Sequence, residues 1–243
     1  IDPEDYYDFQ FSRPMVSFDE NGVRQLSWPT TEFYAPGVEV VQAQPQQARV
    51  HVLVGVEPSR RWKAFTGEVL EMIEDREIDA VIFLGSLLAD VPHTRAIATT
   101  ITSQNAGLRA ELDFEKSDYE GPVGILSVLG MALEAAGTPT ISIWASVPHY
   151  AHTPPVPKAS LAVLVQVERV LGLEFGHETL AQDSFTWERA VDELCEGDEE
   201  LGNYVKSLET ARDEYESQVA NGDALAAEVE RFLRDNQSPD EQP

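Results

Sequence analysis

Histidine, arginine and hydroxyl side chains follow two predicted strands of this 243-residue chain. The first group comes at the end of an apolar run at residues 79–85, and the second follows the run at residues 140–146. In a parallel sheet, the loops beyond the carboxyl ends of the strands are where ligands bind, so we expect the two groups to face each other at one rim. The candidates for ligand binding are Ser86, His93, Thr94, Arg95, His149 and Tyr150.

Two of these side chains have the chemistry that a binding or catalytic site needs. His93 could transfer protons near neutral pH, and Arg95 could hold a carboxylate or phosphate through two hydrogen bonds. The alternative is structural, with both side chains hydrogen-bonded to loop carbonyls and bracing a turn. His149 and His152 lack a Cys or a well-spaced carboxylate that would complete a metal site, and structural packing or contact at an interface is favoured for them.

The sequence contains no complete catalytic or cofactor motif. A phosphate-binding P-loop, a Gly-x-Ser-x-Gly nucleophile elbow and a dinucleotide-binding Gly-x-Gly-x-x-Gly are all missing from it. Cys195 has acidic neighbours, which raise the pKa of a thiol and disfavour a thiolate nucleophile. We therefore predict no metal and no cofactor, and assign no catalytic residue. A third polar stretch contains Ser103, Gln104, Asn105 and Arg109, and Asn105-Ala106-Gly107 is equally suited to a helix cap and turn.

Hydrophobic periodicity predicts the elements that position these side chains. Residues 14–29 have the pattern of a β-hairpin with Asn21-Gly22 at its turn, and residues 42–47 are loop-like. The run at 49–56 is typical of a strand buried on both faces, and Pro58-Ser59 opens a helix that leads to a second buried strand at 79–85, ended by Gly85-Ser86. This order predicts a right-handed parallel β-α-β crossover.

The next elements continue the alternation of strands and helices. Strands are predicted at 99–103 and 140–146, a short helix at 107–112, a mostly buried helix at 123–136 that ends at Gly137, and a helix from Pro157 to Leu171 that Gly172 closes. The pattern predicts an α/β domain over residues 1–175 with a mainly parallel sheet.

The charge is concentrated at the end of the chain. Of 43 acidic residues, 20 lie in residues 174–243, with only 5 of the 17 basic ones. The pattern predicts an acidic helical extension at 176–235, in which Asn221-Gly222 separates the last two of three helices, and a frayed tail at 236–243. Its acidic faces are either solvated or dock onto a partner with a basic patch.

Composition limits the classes of function. A net charge of −26 argues against nucleic-acid binding, because the phosphates would be repelled. No apolar run approaches the ~20 residues that a membrane span needs. A single cysteine excludes an internal disulfide framework, and we expect a reducing, cytoplasmic setting.

Several motifs together resemble those of the proteasome assembly chaperone 2 family, in its actinobacterial branch. They are Tyr7-Asp8-Phe9-Gln10 with Arg13-Pro14, Glu57-Pro58-Ser59-Arg60-Arg61-Trp62, Leu84-Gly85-Ser86, Val91-Pro92-His93-Thr94-Arg95, Ser142-Ile143-Trp144-Ala145, Val147-Pro148-His149-Tyr150 and Pro157-Lys158-Ala159. The resemblance covers roughly residues 1–175, and the Val-Pro-His blocks are its most specific part. The family usually has an upstream strand and helix with a Gly-Phe-x-Asp-Ala-Gly-like segment, which this sequence lacks, so we expect residues upstream of Ile1.

The resemblance implies a three-layer α/β sandwich related to nucleoside-phosphorylase-like folds, and a homo-oligomer, with a trimer favoured. Eukaryotic relatives help to assemble proteasome α-rings, whereas the function of most bacterial members is undefined. We therefore favour a non-catalytic interaction protein with a protein partner that is related to the proteasome. The alternative is a small-molecule-binding protein or enzyme acting on an anionic or nucleoside-like ligand at the strand ends. A structural oligomer whose acidic helices pack on a neighbour is compatible with either.

Overall fold

A computed structural model describes residues 1–37 and 48–236, with the side chains of the last helix described as far as Val219. The chain is mixed α/β, as the sequence predicts. The strands are β1 (Met15–Phe18), β2 (Arg24–Ser27), β3 (Thr31–Tyr34), β4 (Val52–Gly55), β5 (Val81–Ala89), β6 (Thr99–Thr102) and β7 (Thr140–Pro148). The helices are α1 (Pro3–Tyr6), α2 (Trp62–Asp75), α3 (Ala106–Leu112), α4 (Ile125–Ala136), α5 (Pro157–Leu171), α6 (Glu178–Gly197) and α7 (Glu199–Asn236), with a 3₁₀ turn at His149–Ala151.

The predicted hairpin is confirmed. Strands β1 and β2 pair antiparallel, with Val16 opposite Leu26. At the turn, Gly22 has φ +75°, which a residue without a side chain adopts without strain. The carboxylate of Asp19 accepts hydrogen bonds from the main-chain N–H groups of Val23 and Asn21 at 2.8 and 2.9 Å, and these bonds lower its pKa. The predicted loop at 42–47 lies outside the described residues.

Strand β4 differs from its prediction in both burial and pairing. It pairs antiparallel with β3, and all four of its residues are exposed. Strand β5 belongs to a different sheet, so the predicted parallel crossover between these two strands is wrong. An apolar β-branched run specifies a strand, but it does not specify which strand will pair with it or what will cover it. The helix between them also begins later than predicted, at Trp62 rather than at Pro58-Ser59, after Arg61 in a left-handed conformation.

The strand that is buried along its length is β7. It lies in the middle of a three-stranded sheet of order β5-β7-β6, and most of its side chains are buried, with Ile143 and Ala145 fully so. Strand β5 has only Phe83 buried and continues to Ala89, so Ser86 lies inside the strand and does not follow it as predicted. The three-layer, nucleoside-phosphorylase-like arrangement stays a prediction.

Helix ends agree better with the sequence. Gly137 and Gly172 close α4 and α5 with φ of +93° and +62°. Asn105 caps α3, its side chain accepting hydrogen bonds from the main-chain N–H groups of Gly107 and Leu108, as the cap hypothesis predicts. Helix α4 is less buried than expected, because only Ile125, Leu129 and Leu133 are in the core while Met131 is exposed.

The predicted break at Asn221-Gly222 is wrong. Helix α7 runs continuously from Glu199 to Asn236, so the extension contains two helices where three are predicted. One glycine inside a helix costs about 1 kcal/mol, which neighbouring helix formers can offset. The predicted tail at 236–243 lies outside the described residues except for Asn236.

The chain divides into two compact units, and the boundaries pass through β5, β6 and β7. Unit 1 comprises residues 1–83 and 101–142, and unit 2 comprises residues 84–100 and 143–243. The core of unit 1 is built around Tyr6, Phe65, Val69, Leu129 and Leu133. In unit 2, Ala145, Val147 and Ala159 form a smaller core. Unit 2 contains both the end of the predicted α/β domain and the acidic helices; the boundaries predicted at 175 and 235 stay a prediction.

Candidate functional site

All six predicted side chains belong to unit 2, and five of them lie close together. The loop after β5 carries His93, Thr94 and Arg95, and the 3₁₀ turn after β7 carries His149 and Tyr150. Ser86, by contrast, lies within β5 and is exposed. A ligand-binding role for the six stays a prediction; what the structure shows is which groups they contact.

His93 is fully buried and hydrogen-bonded through both ring nitrogens. Its main-chain N–H donates to the Tyr150 hydroxyl at 2.8 Å, and Nδ1 lies 2.8 Å from the same oxygen. Nε2 lies 3.0 Å from Oδ1 of Asp192 on α6. Because the hydroxyl oxygen already accepts the main-chain N–H, its own proton is available for Nδ1, and Nε2–H then donates to Asp192. The arrangement fixes both the ring and its tautomer.

Tyr150 remains a proton donor over the whole neutral range. Burial is the largest cause of the rise of its pKa to about 12. The hydroxyl therefore stays protonated at neutral pH and can keep its hydrogen bond to Nδ1 of His93.

Arg95 is held by two carboxylates of α7. Its Nε and Nη2 donate to the two oxygens of Asp213 at 2.8 and 2.7 Å, which is a bidentate pair, and Nη1 lies 3.3 Å from Glu209. The Thr94 hydroxyl also donates to Glu209. The hydrogen bond with Asp213 is the main reason that the pKa of Arg95 is raised and that of Asp213 is lowered.

Lys158 connects the same loop to α6. It is the second residue of α5, and its ammonium group donates to the main-chain carbonyl of His93 and to Glu188. Glu188 and Asp192 are four residues apart on α6, as Glu209 and Asp213 are on α7. Each acidic helix thus presents two carboxylates from one face, spaced by about one turn.

His149 belongs to an adjoining aromatic group. Its Nδ1 lies 3.1 Å from Asp90, and the Tyr204 hydroxyl donates to the same carboxylate at 3.2 Å. The rings of His149, Tyr150 and Tyr204 are in edge-to-face contact, with centroids 5.6 to 6.1 Å apart. This contact adds an apolar component to the attachment of α7.

The sequence analysis did not single out the residues that partner this site. They are Asp90, Lys158, Glu188, Asp192, Tyr204, Glu209 and Asp213. Lys158 is visible in the sequence only as part of a motif. The carboxylates of Asp192, Glu209 and Asp213 are 99 to 118 positions from the His93 and Arg95 side chains that they contact. The one available signal was the spacing of acidic residues by four within a strongly acidic segment.

Other candidates are in less reactive surroundings. Burial, followed by the charges of Asp192, Asp198 and Glu209, raises the pKa of the Cys195 thiol, as predicted from its acidic neighbours. Among the described side chains, which lie in residues 1–37 and 48–219, no group of three or more His, Cys, Asp and Glu is arranged to hold a metal ion. Over the same ranges, no helix combines the length and apolar character that crossing a membrane requires.

The fold and this cluster define a class: a mixed α/β protein whose cationic side chains hold acidic helices of its own chain. The model of the PAC2 family matches residues 1–195, and the chain belongs to this family. The resemblance found in the sequence is thereby confirmed. No curated protein matches the chain.

Solved structures agree with this assignment. A PAC2 family protein from Streptomyces avermitilis is 39% identical, with a TM-score of 0.72 and coverage of 84% of each chain. A proteasome-assembly chaperone homologue from Mycobacterium tuberculosis is 37% identical, with a TM-score of 0.71 and coverage of 84% of this chain and 85% of that one. An archaeal proteasome activator from Pyrococcus furiosus is 16% identical with a TM-score of 0.58, covering 74% and 76% of the two chains, and this likeness shows the fold alone.

Proposed function

We propose that this chain is an interaction protein that acts without catalysis, like a proteasome assembly chaperone, and that its partner is a protein related to the proteasome. The observation that carries the proposal is the pairing of Arg95, the predicted anion-binding side chain, with Asp213 of the same chain. Groups that could bind a small anion instead organise a protein surface. The description of the mycobacterial relative as a proteasome-assembly chaperone homologue supports the same class of function.

Exposed apolar strands support protein contacts. In unit 2, Leu84, Leu87 and Leu88 of β5 are each about half exposed. In unit 1, Val52 and Val54 of β4 are exposed to a similar degree. Large apolar side chains left exposed on strands are candidates for coverage by another protein chain. We propose that a homo-oligomer, with a trimer favoured, and a client protein cover these strands in the cytoplasm.

Assembly of the proteasome from separately purified α and β subunits tests this function. We expect the chain to speed the appearance of α-rings or half-proteasomes on native gels and to migrate with an intermediate. Leu88→Lys is expected to weaken the effect because it places a charge in the exposed apolar strand. Met131→Lys is the matched control, since Met131 is more exposed (73% against 58%) but lies on a helix.

The outcome that contradicts the proposal is equally concrete. Assembly rates that do not change with the chain present, at both low and physiological salt, would remove the chaperone-like role. A loss of activity in both lysine variants would show that added positive charge, and not the β5 surface, is responsible.

A further inference from the structure

We propose that Thr94, Arg95 and Lys158 form a binding site for an acidic helix of a partner protein, and that helices α6 and α7 occupy this site within the free chain. The inference rests on the proposed function, because it assumes a protein partner. It adds the chemistry of that partner: a helix that carries two carboxylates four residues apart.

Arg95 and Thr94 together hold two carboxylates on one face of α7. The fork of Arg95 holds Asp213 through two hydrogen bonds, while the Thr94 hydroxyl and the third arginine nitrogen share Glu209 one turn earlier. A planar guanidinium with a neighbouring hydroxyl therefore recognises a pair of carboxylates with helical spacing, and not only a single charge. The ammonium of Lys158 donates to the main-chain carbonyl of His93 and to a single carboxylate of α6, that of Glu188.

The contact between Arg95 and α7 is open to solvent, so another helix can replace α7. The side chains of Arg95, Glu209 and Asp213 are 34, 25 and 53% exposed, so water reaches this ion pair network. Most solvated ion pairs contribute little net stability, and although the bidentate geometry at Arg95 strengthens this one, water still competes for both partners. Among the described side chains of α7, which end at Val219, only Val205 is buried. After Val205, the polar contacts of Glu209 and Asp213 are the main attachment of this helix to the loop.

The contacts within the free chain indicate the chemistry of the partner. The groups seated on the cationic side chains are carboxylates on helices, so the site already displays the ligand chemistry that it accepts. An external helix with the same spacing must compete with α7. Its apparent affinity is the intrinsic affinity multiplied by the fraction of chains in which α7 has left the site. Helix α7 thus acts as an internal competitor that sets the strength of partner binding.

A binding assay with the full-length chain tests the proposal. The probe is a fluorescent peptide of residues 199–219, and the readout is its anisotropy with the wild type and with the double variant Glu209→Gln/Asp213→Asn. We expect the double variant to bind the peptide roughly tenfold or more tightly, because its own helix no longer competes for Arg95. Adding Arg95→Gln to the double variant is expected to abolish this gain.

Matched controls separate the specific site from charge alone. Glu200→Gln/Glu214→Gln removes the same charge from α7 at positions that do not contact Arg95, and its affinity is expected to equal that of the wild type. A peptide with Gln and Asn at positions 209 and 213 is expected to bind weakly to every variant. Inorganic phosphate at equal charge concentration is expected to compete poorly, because it lacks the helical spacing.

Three results would overturn the proposal. The first is that the wild type and the double variant bind the peptide with equal affinity. The second is that the peptide lacking the two carboxylates binds as tightly as the original peptide. The third is that phosphate competes as well as the unlabelled peptide does. If the double variant does not fold, amide exchange decides instead: unlabelled peptide must accelerate exchange in residues 199–219 of an isotope-labelled wild-type chain. The assay contains no proteasome subunit, so its result is separate from success or failure of the assembly experiment.

Discussion

At the scale of single residues, the central feature is the buried ring of His93. A free imidazole in a loop could act as a general acid or base, but here each nitrogen has a partner, Tyr150 on one side and Asp192 on the other. The Tyr150 hydroxyl also accepts the main-chain N–H of His93. One side chain thus satisfies two polar groups of a buried residue, which makes it a sensitive position for substitution.

Replacing Tyr150 by Phe is expected to destabilise the chain and to change its response to pH. At neutral pH, we expect a loss of about 1–3 kcal/mol in the free energy of unfolding, because buried polar groups of His93 lose a partner. The folded-state pKa is about 12 against an ordinary value of 10.0. The folded state therefore holds this proton more tightly, and the associated stability is complete below pH 10 and is lost as the pH rises towards 12.

Urea unfolding between pH 7 and about 12 measures both effects. The wild-type midpoint should fall more steeply above pH 10 than that of Tyr150→Phe. Tyr215→Phe, at an exposed position of α7, is the control and should follow the wild type. Parallel curves for the wild type and Tyr150→Phe would contradict the role given to this hydroxyl.

At the scale of elements, the close approach of β5 and β7 depends on a glycine. A Cβ at position 85 would lie 2.6 Å from two ring carbons of Trp144 on the neighbouring strand. No rotamer change at position 85 can relieve this contact, because a Cβ is fixed by the backbone. The sheet therefore requires Gly85 for steric reasons, even though its φ is ordinary.

We expect Gly85→Ala to lower the free energy of unfolding by about 1–3 kcal/mol, the usual cost of overpacking. Gly67→Ala provides a control within α2, where a Cβ meets nothing within 4 Å. This second variant should raise stability by about 0.5–1 kcal/mol, because alanine favours a helix over glycine. Denaturant titrations measure the free energy of unfolding of both variants. If the two substitutions change it by the same amount, the contact with Trp144 relaxes without cost.

At the scale of the whole molecule, charge is the dominant property. A net charge of −26 on 243 residues repels itself and opposes compaction. Arg95, in the loop after β5, and Lys158, at the start of α5, offset part of this repulsion locally by pairing with three carboxylates of α6 and α7. The other described carboxylates of these helices are mostly exposed to solvent, so dissolved salt can screen their repulsion.

Thermal unfolding in monovalent salt tests this balance. We expect the Tm to rise as NaCl is increased from a low-salt buffer to about 0.3 M, because screening over roughly a Debye length weakens the general repulsion. A Tm that falls steadily over the same range would mean that the ion pairs at Arg95 and Lys158 outweigh the repulsion. Repeating the series with Arg95→Gln separates the two contributions.

Local signals predicted local features well. The hairpin with Gly22, the cap at Asn105 and the glycine ends of two helices are each set by the conformational preferences of a few adjacent residues. Predictions that needed a distant partner were less successful. The apolar run at β4 is an exposed antiparallel strand, and the Asn221-Gly222 pair lies within a continuous helix, because pairing and helix length depend on neighbours that periodicity does not identify.

The sequence by itself determined the mixed α/β class, the family, the glycine ends of two helices and the clustering of His93, Thr94, Arg95, His149 and Tyr150 behind two strands. These follow from short-range patterns and from motif order. Only the tertiary structure decided what these side chains contact, since the carboxylates of Asp192, Glu209 and Asp213 are about a hundred residues away along the chain. Ion pairs and hydrogen bonds act over a few ångströms in space, and sequence distance does not reveal which charges folding will bring together.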